Sequence, residues 1–275
     1  MKLYVIGKPI KHSLSPIIHN FWIDRYNLKT KYEKKEIAKS QLATIIKQIK
    51  KKEIKGINVT LPYKREILPL IDNMSNSAKD CDAVNTVFLK KNKIYGDNTD
   101  GKGFVKSCEK NLKFNFGGTK IFLVGAGGSS YGIISELIKK KTKEIFISNR
   151  TEENVLKLVN HFKNRTTSLV PINWSNLKPN SDVSMVINTT SFGMKKGEFL
   201  EINLDGLKSS TVFADIIYKP KETEMLKKCK KKGFRTINGL DMLIYQAAIS
   251  FNLWFDISLT KKDIKDAKEI CERSY

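Results

Sequence analysis

Residues 121–151 read IFLVGAGGSSYGIISELIKKKTKEIFISNRT. An apolar run from Ile121 to Val124 gives way to a turn containing Gly125, Gly127 and Gly128, then to a helix-like period, then to a second apolar run from Ile145 to Ser148. This order predicts strand, turn, helix, strand, the crossover unit of a parallel sheet. A strand that enters a helix through glycines lets backbone N–H groups approach a pyrophosphate, and the helix N-terminus adds partial positive charge. Phosphate is therefore expected at Gly127, Gly128 and Ser129. Gly125 and Gly127 fit the G-x-G-x-x-G spacing, and Ser130 stands at the third position, where a small residue still allows close helix–strand packing.

The end of the second strand indicates which dinucleotide. NAD-preferring folds place Asp or Glu about 20 residues after the glycines to hold the ribose 2′-hydroxyl. Here the strand tip is Asn149-Arg150-Thr151, without a carboxylate. A guanidinium grips a 2′-phosphate through two hydrogen bonds, whereas a carboxylate would repel it. The expected cofactor is NADP.

A chain of 275 residues with 40% hydrophobic side chains supports two domains sharing one cleft. No apolar run approaches the roughly 20 residues needed to span a bilayer. The opening MKLYVIG runs directly into a strand-like segment without an extended apolar signal region, so a cytoplasmic location is expected. The net charge of +22 comes from 44 Lys and only 6 Arg. Sequence-specific nucleic-acid sites lean on Arg for bidentate contacts, and here the lysines are spread over every predicted helix face, so no nucleic-acid partner is expected. A positive surface does speed capture of anionic small molecules. Cys81, Cys108, Cys229 and Cys271 are widely separated and have no histidine cluster nearby, which predicts neither a disulfide framework nor a metal site.

In chain order, the first strand (Leu3 to Ile6) turns at Gly7 and Pro9 and leads to a helix near Pro16. Ser15 is expected at the N-cap with proline at the first helical position, so that Ser13 and Ser15 point outward from a helix entrance. A lysine-rich amphipathic helix over about 40–52 follows, with Leu42, Ile45, Ile46 and Ile49 on one side. In GINVTLPYK (56–64), alternation is expected to bury Ile57, Val59 and Leu61 and to turn Asn58 and Thr60 to the other face. Lys64 then lies just past the strand, where a lysine among few counter-charges can act in proton transfer.

Residues 81–101, CDAVNTVFLKKNKIYGDNTDG, predict a hairpin turning at Lys90 to Lys93, with Asn85 and the GDNTDG run placing side-chain oxygens at strand ends. Turn chemistry accounts for Asp97 and Asn98. Asp100 precedes a helix and is the carboxylate expected to partner a lysine. In the last predicted helix, DMLIYQAAISFNLWF, Gln246 is the conspicuous polar insertion, and a buried amide must find partners.

With these residues assembled, the chain resembles the shikimate dehydrogenase family over nearly its full length. The strings that carry the resemblance are GKPIKHSLSP, GINVTLPYK, AVNT, GDNTDG, GAGGSS, NRT, NTTSFGM and INGLDMLIYQA, in family order. The resemblance implies an α/β protein of two domains. Residues 1–101 plus 239–275 would form the substrate-binding and catalytic domain, to which the C-terminal helices return, and residues 102–238 a Rossmann NADP-binding domain. It implies a small-molecule substrate, with Lys64 and Asp100 as the catalytic pair. Ser13 and Ser15 would hold the substrate carboxylate, while Asn58, Thr60, Asn85, Asp100 and Gln246 would hold ring hydroxyls.

On the cofactor side it implies Gly125, Ala126, Gly127, Gly128, Ser129 and Ser130 around the diphosphate, and Asn188, Thr189, Thr190 and Ser191 at the end of a strand from Val183 to Ile187. Ile216, Tyr218 and Gly239 would lie near the nicotinamide, with Tyr218 also facing substrate. Two departures stand out: Tyr131 follows the glycine loop where members commonly have Arg or Lys, and Glu153 and Asn154 stand where many carry a basic residue. The 2′-phosphate clamp then rests on Arg150, with Asn149, Thr151 and Ser129 or Ser130 assisting, and modest discrimination against NAD is expected. The implied activity is NADPH-dependent reduction of 3-dehydroshikimate to shikimate, by a monomer or homodimer. The alternatives are a quinate/shikimate dehydrogenase using NAD or NADP, and a non-catalytic dinucleotide sensor or basic nucleic-acid binder on the same fold.

Overall fold

The computed structural model of the chain describes residues 1–195 and 197–274. It divides into two compact units, residues 1–104 with 243–274, and residues 105–242.

The first unit begins with β1 (Lys2–Gly7), α1 (Ser15–Arg25), β2 (Tyr32–Glu36), α2 (Leu42–Lys50) and β3 (Ile54–Val59). It continues through β4 (Asn73–Met74), α3 (Asn76–Cys81), β5 (Thr86–Lys90), β6 (Lys93–Asp97) and the start of α4 (Asp100–Leu112). These strands form a mixed sheet in the order β2-β1-β3-β5-β6-β4. The β5–β6 hairpin turns through Lys91 and Asn92, both at positive φ (48° and 60°), the backbone that a two-residue turn between twisted strands requires. On one face α2 lays Leu42, Ile45, Ile46 and Ile49 against Ile6, Ile57 and Val59.

The second unit contains β7 (Lys120–Val124), α5 (Gly128–Lys139), β8 (Glu144–Ser148), α6 (Glu152–Phe162), β9 (Ser168–Ile172), β10 (Met185–Asn188), β11 (Val212–Asp215), α7 (Glu224–Lys231) and β12 (Arg235–Ile237). Its sheet is all parallel, in the order β12-β11-β10-β7-β8-β9. Residues 121–124 are all buried, and so are 145–148, because helices cover both faces of such a sheet. The strand order reverses between β7 and β10, and in open α/β sheets ligands bind outside the carboxyl ends of the strands at such a point.

α8 (Leu240–Phe255) and α9 (Lys261–Glu272) close the chain, and residues 243–274 pack back on the first unit. Phe251 and Trp254 of α8 join His19, Trp22 and Tyr32 in an aromatic cluster. A Cβ at Gly56 would lie 2.8 Å from Trp254 Cδ1, so glycine lets the indole rest on β3. Asp263 of α9 accepts from Arg25 (2.9 Å) at the end of α1 and from Tyr26 (2.8 Å) just past it, and its backbone carbonyl accepts from Trp22 Nε1 (3.1 Å). Burial alone would push the Asp263 carboxyl up, but hydrogen bonds from Thr260, Arg25 and Tyr26 hold it well below the usual range.

Two local expectations are corrected. α1 starts one residue earlier than the serine pattern predicts: Leu14 is the cap, its carbonyl accepts from Ile17 and Ile18 N–H, and no side chain caps the helix. The Ser13 hydroxyl instead accepts from Ser15 N–H (3.3 Å). Leu61 is 58% exposed, because β3 ends at Val59 and the chain leaves the sheet before Leu61 can point inward. Among the described residues no helix is long and apolar enough to cross a membrane, and no group of His, Cys, Asp and Glu is arranged to hold a metal ion.

Candidate active site

In the first unit, the ends of β3, β5 and β6 and the first turn of α4 bring polar side chains together. Lys64, just past β3, donates from Nζ to Asp100 Oδ2 at 2.6 Å, with both side chains only 9% exposed. Asp100 opens α4, and its backbone N–H bonds to Asn98 Oδ1 (3.1 Å), which fixes where the carboxylate points. Its other oxygen accepts from Asn85 Nδ2 at 2.8 Å. Asn85 Oδ1 accepts from Thr99 N–H (2.9 Å), so the amide is oriented by backbone. Gln246 reaches in from α8, its Oε1 facing Thr99 Oγ1 (3.3 Å) and Asn85 Nδ2 (3.4 Å), while Nε2 donates to Leu243 O (2.9 Å). Lys64, Asp100, Asn85 and Gln246 thus form one cluster from residues spread over 183 positions of sequence (64 to 246).

Ser13 is half-buried and Ser15 buried at the start of α1. Thr60 is half-buried past β3, anchored by its N–H to Ile6 O (2.9 Å). The Asn58 amide is likewise engaged by the protein. Oδ1 accepts from Tyr32 Oη (2.7 Å), while Nδ2 faces Asn85 O (3.1 Å), Thr86 Oγ1 (3.1 Å) and Ser250 Oγ (3.2 Å).

Thr86, Thr99 and Ser250 are the residues sequence reasoning passed over. All three are fully buried, and Ser250 Oγ lies 2.7 Å from Thr86 Oγ1 and 3.4 Å from Thr99 Oγ1. The available signal was Ser250 standing one helical turn after Gln246 in an otherwise apolar stretch.

In the second unit, Gly125 adopts φ +117°, and a Cβ there would collide with the Thr189 hydroxyl. Glycine therefore lets the β7 turn pass against β10. Gly127 caps α5 and is exposed, and an added Cβ would meet nothing within 4 Å, so the space in front of the helix is open. Gly128 and Ser129 follow as half-buried residues of the first turn. Ala126 N–H bonds to Asn149 Oδ1 (3.2 Å), tying this turn to the tip of β8. An open helix N-terminus with glycines in front of it fits a dinucleotide diphosphate.

Ser130 faces inward: it is fully buried and its hydroxyl lies 2.8 Å from that of Thr189, so it packs the helix on the sheet instead of presenting a phosphate ligand. Arg150 is exposed beyond β8, its guanidinium 5.8 Å from the centre of the Phe192 ring, and Thr151 is exposed beside it. Tyr131 is buried against His161 and Phe162 of α6, which removes it from the surface where a basic residue would act. Glu153 is paired with Lys157 (2.7 Å).

Asn188, at the end of β10, is also buried, and its Oδ1 accepts from Thr190 N–H (2.9 Å) and Thr190 Oγ1 (2.7 Å), folding the 188–192 loop. Ser191 is exposed on that loop. Gly239 donates its N–H to Ile217 O (3.0 Å), and any Cβ there would run into the Ile216 carbonyl, so Gly239 and Ile216 are in backbone contact. Tyr218 is half-buried two residues further on.

Three family models match this chain: the shikimate dehydrogenase substrate binding domain over residues 5–87, shikimate / quinate 5-dehydrogenase over 107–217, and the shikimate 5′-dehydrogenase C-terminal domain over 239–267. The shikimate dehydrogenase (NADP(+)) of Pelagibacter ubique is 41% identical over 253 residues, 92% of each chain. Among solved structures, shikimate 5-dehydrogenase from Thermus thermophilus, in complex with NADP(H) and shikimate, superposes with a TM-score of 0.85 at 27% identity and 98% coverage of both chains. A ligand-free 5-ketofructose reductase of a Gluconobacter strain superposes with a TM-score of 0.88, also at 27% identity and 98% coverage of both. With a full-length relative at this identity and models matching both units, the chain belongs to the shikimate dehydrogenase family.

Proposed function

We propose that this chain catalyses the reversible NADP-dependent reduction of 3-dehydroshikimate to shikimate, a step toward chorismate and the aromatic amino acids. The observation that carries the proposal is the buried Lys64–Asp100 pair at 2.6 Å, with Asn85 on the second carboxylate oxygen. When bound, NADPH supplies the hydride. Reduction of a ring ketone then needs an acid for the developing alkoxide. Lys64 Nζ donates that proton and, as an ammonium, stabilises the negative oxygen. Asp100 orients the ammonium and accepts a hydrogen bond from an adjacent ring hydroxyl.

The Ser13 and Ser15 hydroxyls bind the substrate carboxylate, and Thr60, Asn85 and Gln246 bind ring hydroxyls. Asn58 joins them on the ring hydroxyls, and its bonds to Tyr32, Asn85, Thr86 and Ser250 also hold β3 and β5 in place beneath the ring. On the cofactor side, Gly127, Gly128 and Ser129 receive the diphosphate and Arg150 the 2′-phosphate, Asn149 holding the loop through Ala126. Four buried free cysteines suit a reducing cytoplasm.

A second reading is favoured by the similarity to 5-ketofructose reductase, whose name specifies a keto sugar. Both readings need a polyhydroxylated ketone, and they differ over a carboxylate on the ligand. Mixing the purified chain with NADP or NAD and with shikimate, quinate or the reduced keto sugar, and following nicotinamide absorbance, separates them. Fast reduction of NADP by shikimate is expected. Turnover confined to the sugar, or unaffected by Ser13→Ala and Ser15→Ala, overturns the assignment.

A further inference from the structure

Two loops of the second unit are tied to one carboxylate. Asp215, the last residue of β11, is 2% exposed. Its Oδ2 accepts from Asn188 Nδ2 (3.1 Å) and from Thr223 Oγ1 (2.9 Å), and its Oδ1 accepts from Ile217 N–H (2.9 Å). An ionised carboxylate is acceptor-only, so it meets three donors where an amide of the same shape would oppose at least one of them.

The consequences run outward along both chains of contacts. Because both hydrogens of the Asn188 amide are committed, one to Asp215 and one to Phe192 O (3.1 Å), its oxygen must face Thr190. Thr190 Oγ1 in turn accepts from Phe192 N–H (3.1 Å), which closes the 188–192 loop. On the other side Thr223, held by Asp215, caps α7 by accepting from Leu226 N–H (3.4 Å). Gly193 packs so closely that a Cβ would lie 3.1 Å from Thr223 Cγ2. Burial pushes the Asp215 carboxyl up to about 6 even with these donors, so keeping an acid here is unfavourable unless its acceptor polarity is used.

We propose that Asp215 is a positioning residue for the cofactor: by fixing the Asn188 amide and Thr223, it gives the 188–192 loop and the Ile216–Tyr218 segment the shape that NADP binds. The proposal rests on the reading of those segments as cofactor-lining.

The test is D215N, which keeps shape and turns one of the two acceptor oxygens into a donor, measured beside T223V. D215N is expected to raise the NADP Kd about tenfold or more, the effect of losing a charge-assisted hydrogen bond, while KM for shikimate at saturating NADP stays within about twofold. T223V, which leaves the carboxylate in place, is expected to raise the Kd about threefold. Unchanged NADP affinity in D215N and T223V overturns the inference alone, as does an equal rise in the constants for both ligands in D215N. Absence of NADP binding by the unaltered chain overturns the cofactor reading and this inference with it.

Discussion

A buried lysine beside a buried carboxylate persists only where further hydrogen bonds satisfy what the ion pair leaves over, and Asn85 does that for Asp100. Lys64→Ala should therefore have two separable effects. Loss of the proton donor is expected to lower kcat by roughly 10²- to 10⁴-fold, while the unpaired carboxylate lowers stability by about 3–5 kcal/mol. NADP affinity, set by the second unit, is expected to stay within about twofold, and a comparable loss of NADP binding in equilibrium titrations would count against the assignment. Arg150 is exposed at the tip beyond β8, so its removal perturbs little else. Arg150→Ala is expected to raise KM for NADP about tenfold or more and to leave KM for NAD nearly unchanged. Equal loss for both cofactors would refute the 2′-phosphate role. Lys64, Asn85 and Asp100 were legible as candidates because each is a polar residue at a strand end or helix entrance, and Gln246 because it interrupts an apolar helix. Thr86, Thr99, Ser250 and Asp215 were not, because nothing local signals that positions 86, 99 and 250 converge, or that one strand-end aspartate faces three donors.

At the level of elements, the crossover from β7 through α5 to β8 was readable because strand, glycine turn and helix each left their own periodicity. The start of α1 was not, since a serine before proline resembles a cap whether or not its hydroxyl reaches the helix, and only the Leu14 carbonyl bonds decide it. Leu61 misled for a related reason: alternation continues in the sequence after β3 has ended. The two glycines of the β7–α5 turn have different physical jobs, which gives a paired prediction. Gly125→Ala places a Cβ at φ +117° and against Thr189, and is expected to destabilise by about 2 kcal/mol or more. Gly127→Ala, at φ −90° in open space, is expected to alter stability by less than about 1 kcal/mol. Its Cβ nevertheless occupies the space in front of α5, so NADP affinity should fall. Thermal unfolding together with NADP titration of the two variants checks both statements, and normal NADP binding by Gly127→Ala would remove the diphosphate from that helix end.

For the whole molecule, the net charge of +22 at pH 7 means that acid adds positive charge to an already positive chain. The buried group that makes this costly is His19. Its ring stacks on Tyr32 at 4.3 Å and lies 5.2 Å from Trp254, and neither nitrogen meets hydrogen-bond geometry among the described residues. Burial lowers its pKa from 6.5 to about 3, with the nearby Asn58 side chain opposing. A depressed folded value means the neutral ring's contribution is fully present above pH 6.5 and is lost as pH falls toward 3. At about 1.4 kcal/mol per pH unit, that interval removes on the order of 5 kcal/mol. Asp215 acts with the opposite sign: raised from 3.8 to about 6, it favours the fold below 3.8 and loses that contribution as pH rises through 6. It therefore offsets much of the His19 loss between pH 6 and 3.8, and the His19 loss stands unopposed by it only below 3.8. His19→Phe keeps an aromatic ring in the stack and removes the titrating nitrogens. It is expected to move the change in urea-unfolding stability from pH 6.5 to 4 toward stabilisation, read by the fluorescence of Trp22 and Trp254, both of which contact the His19 ring. An acid limb that superposes on that of the unaltered chain would show that the imidazole is not the group that titrates.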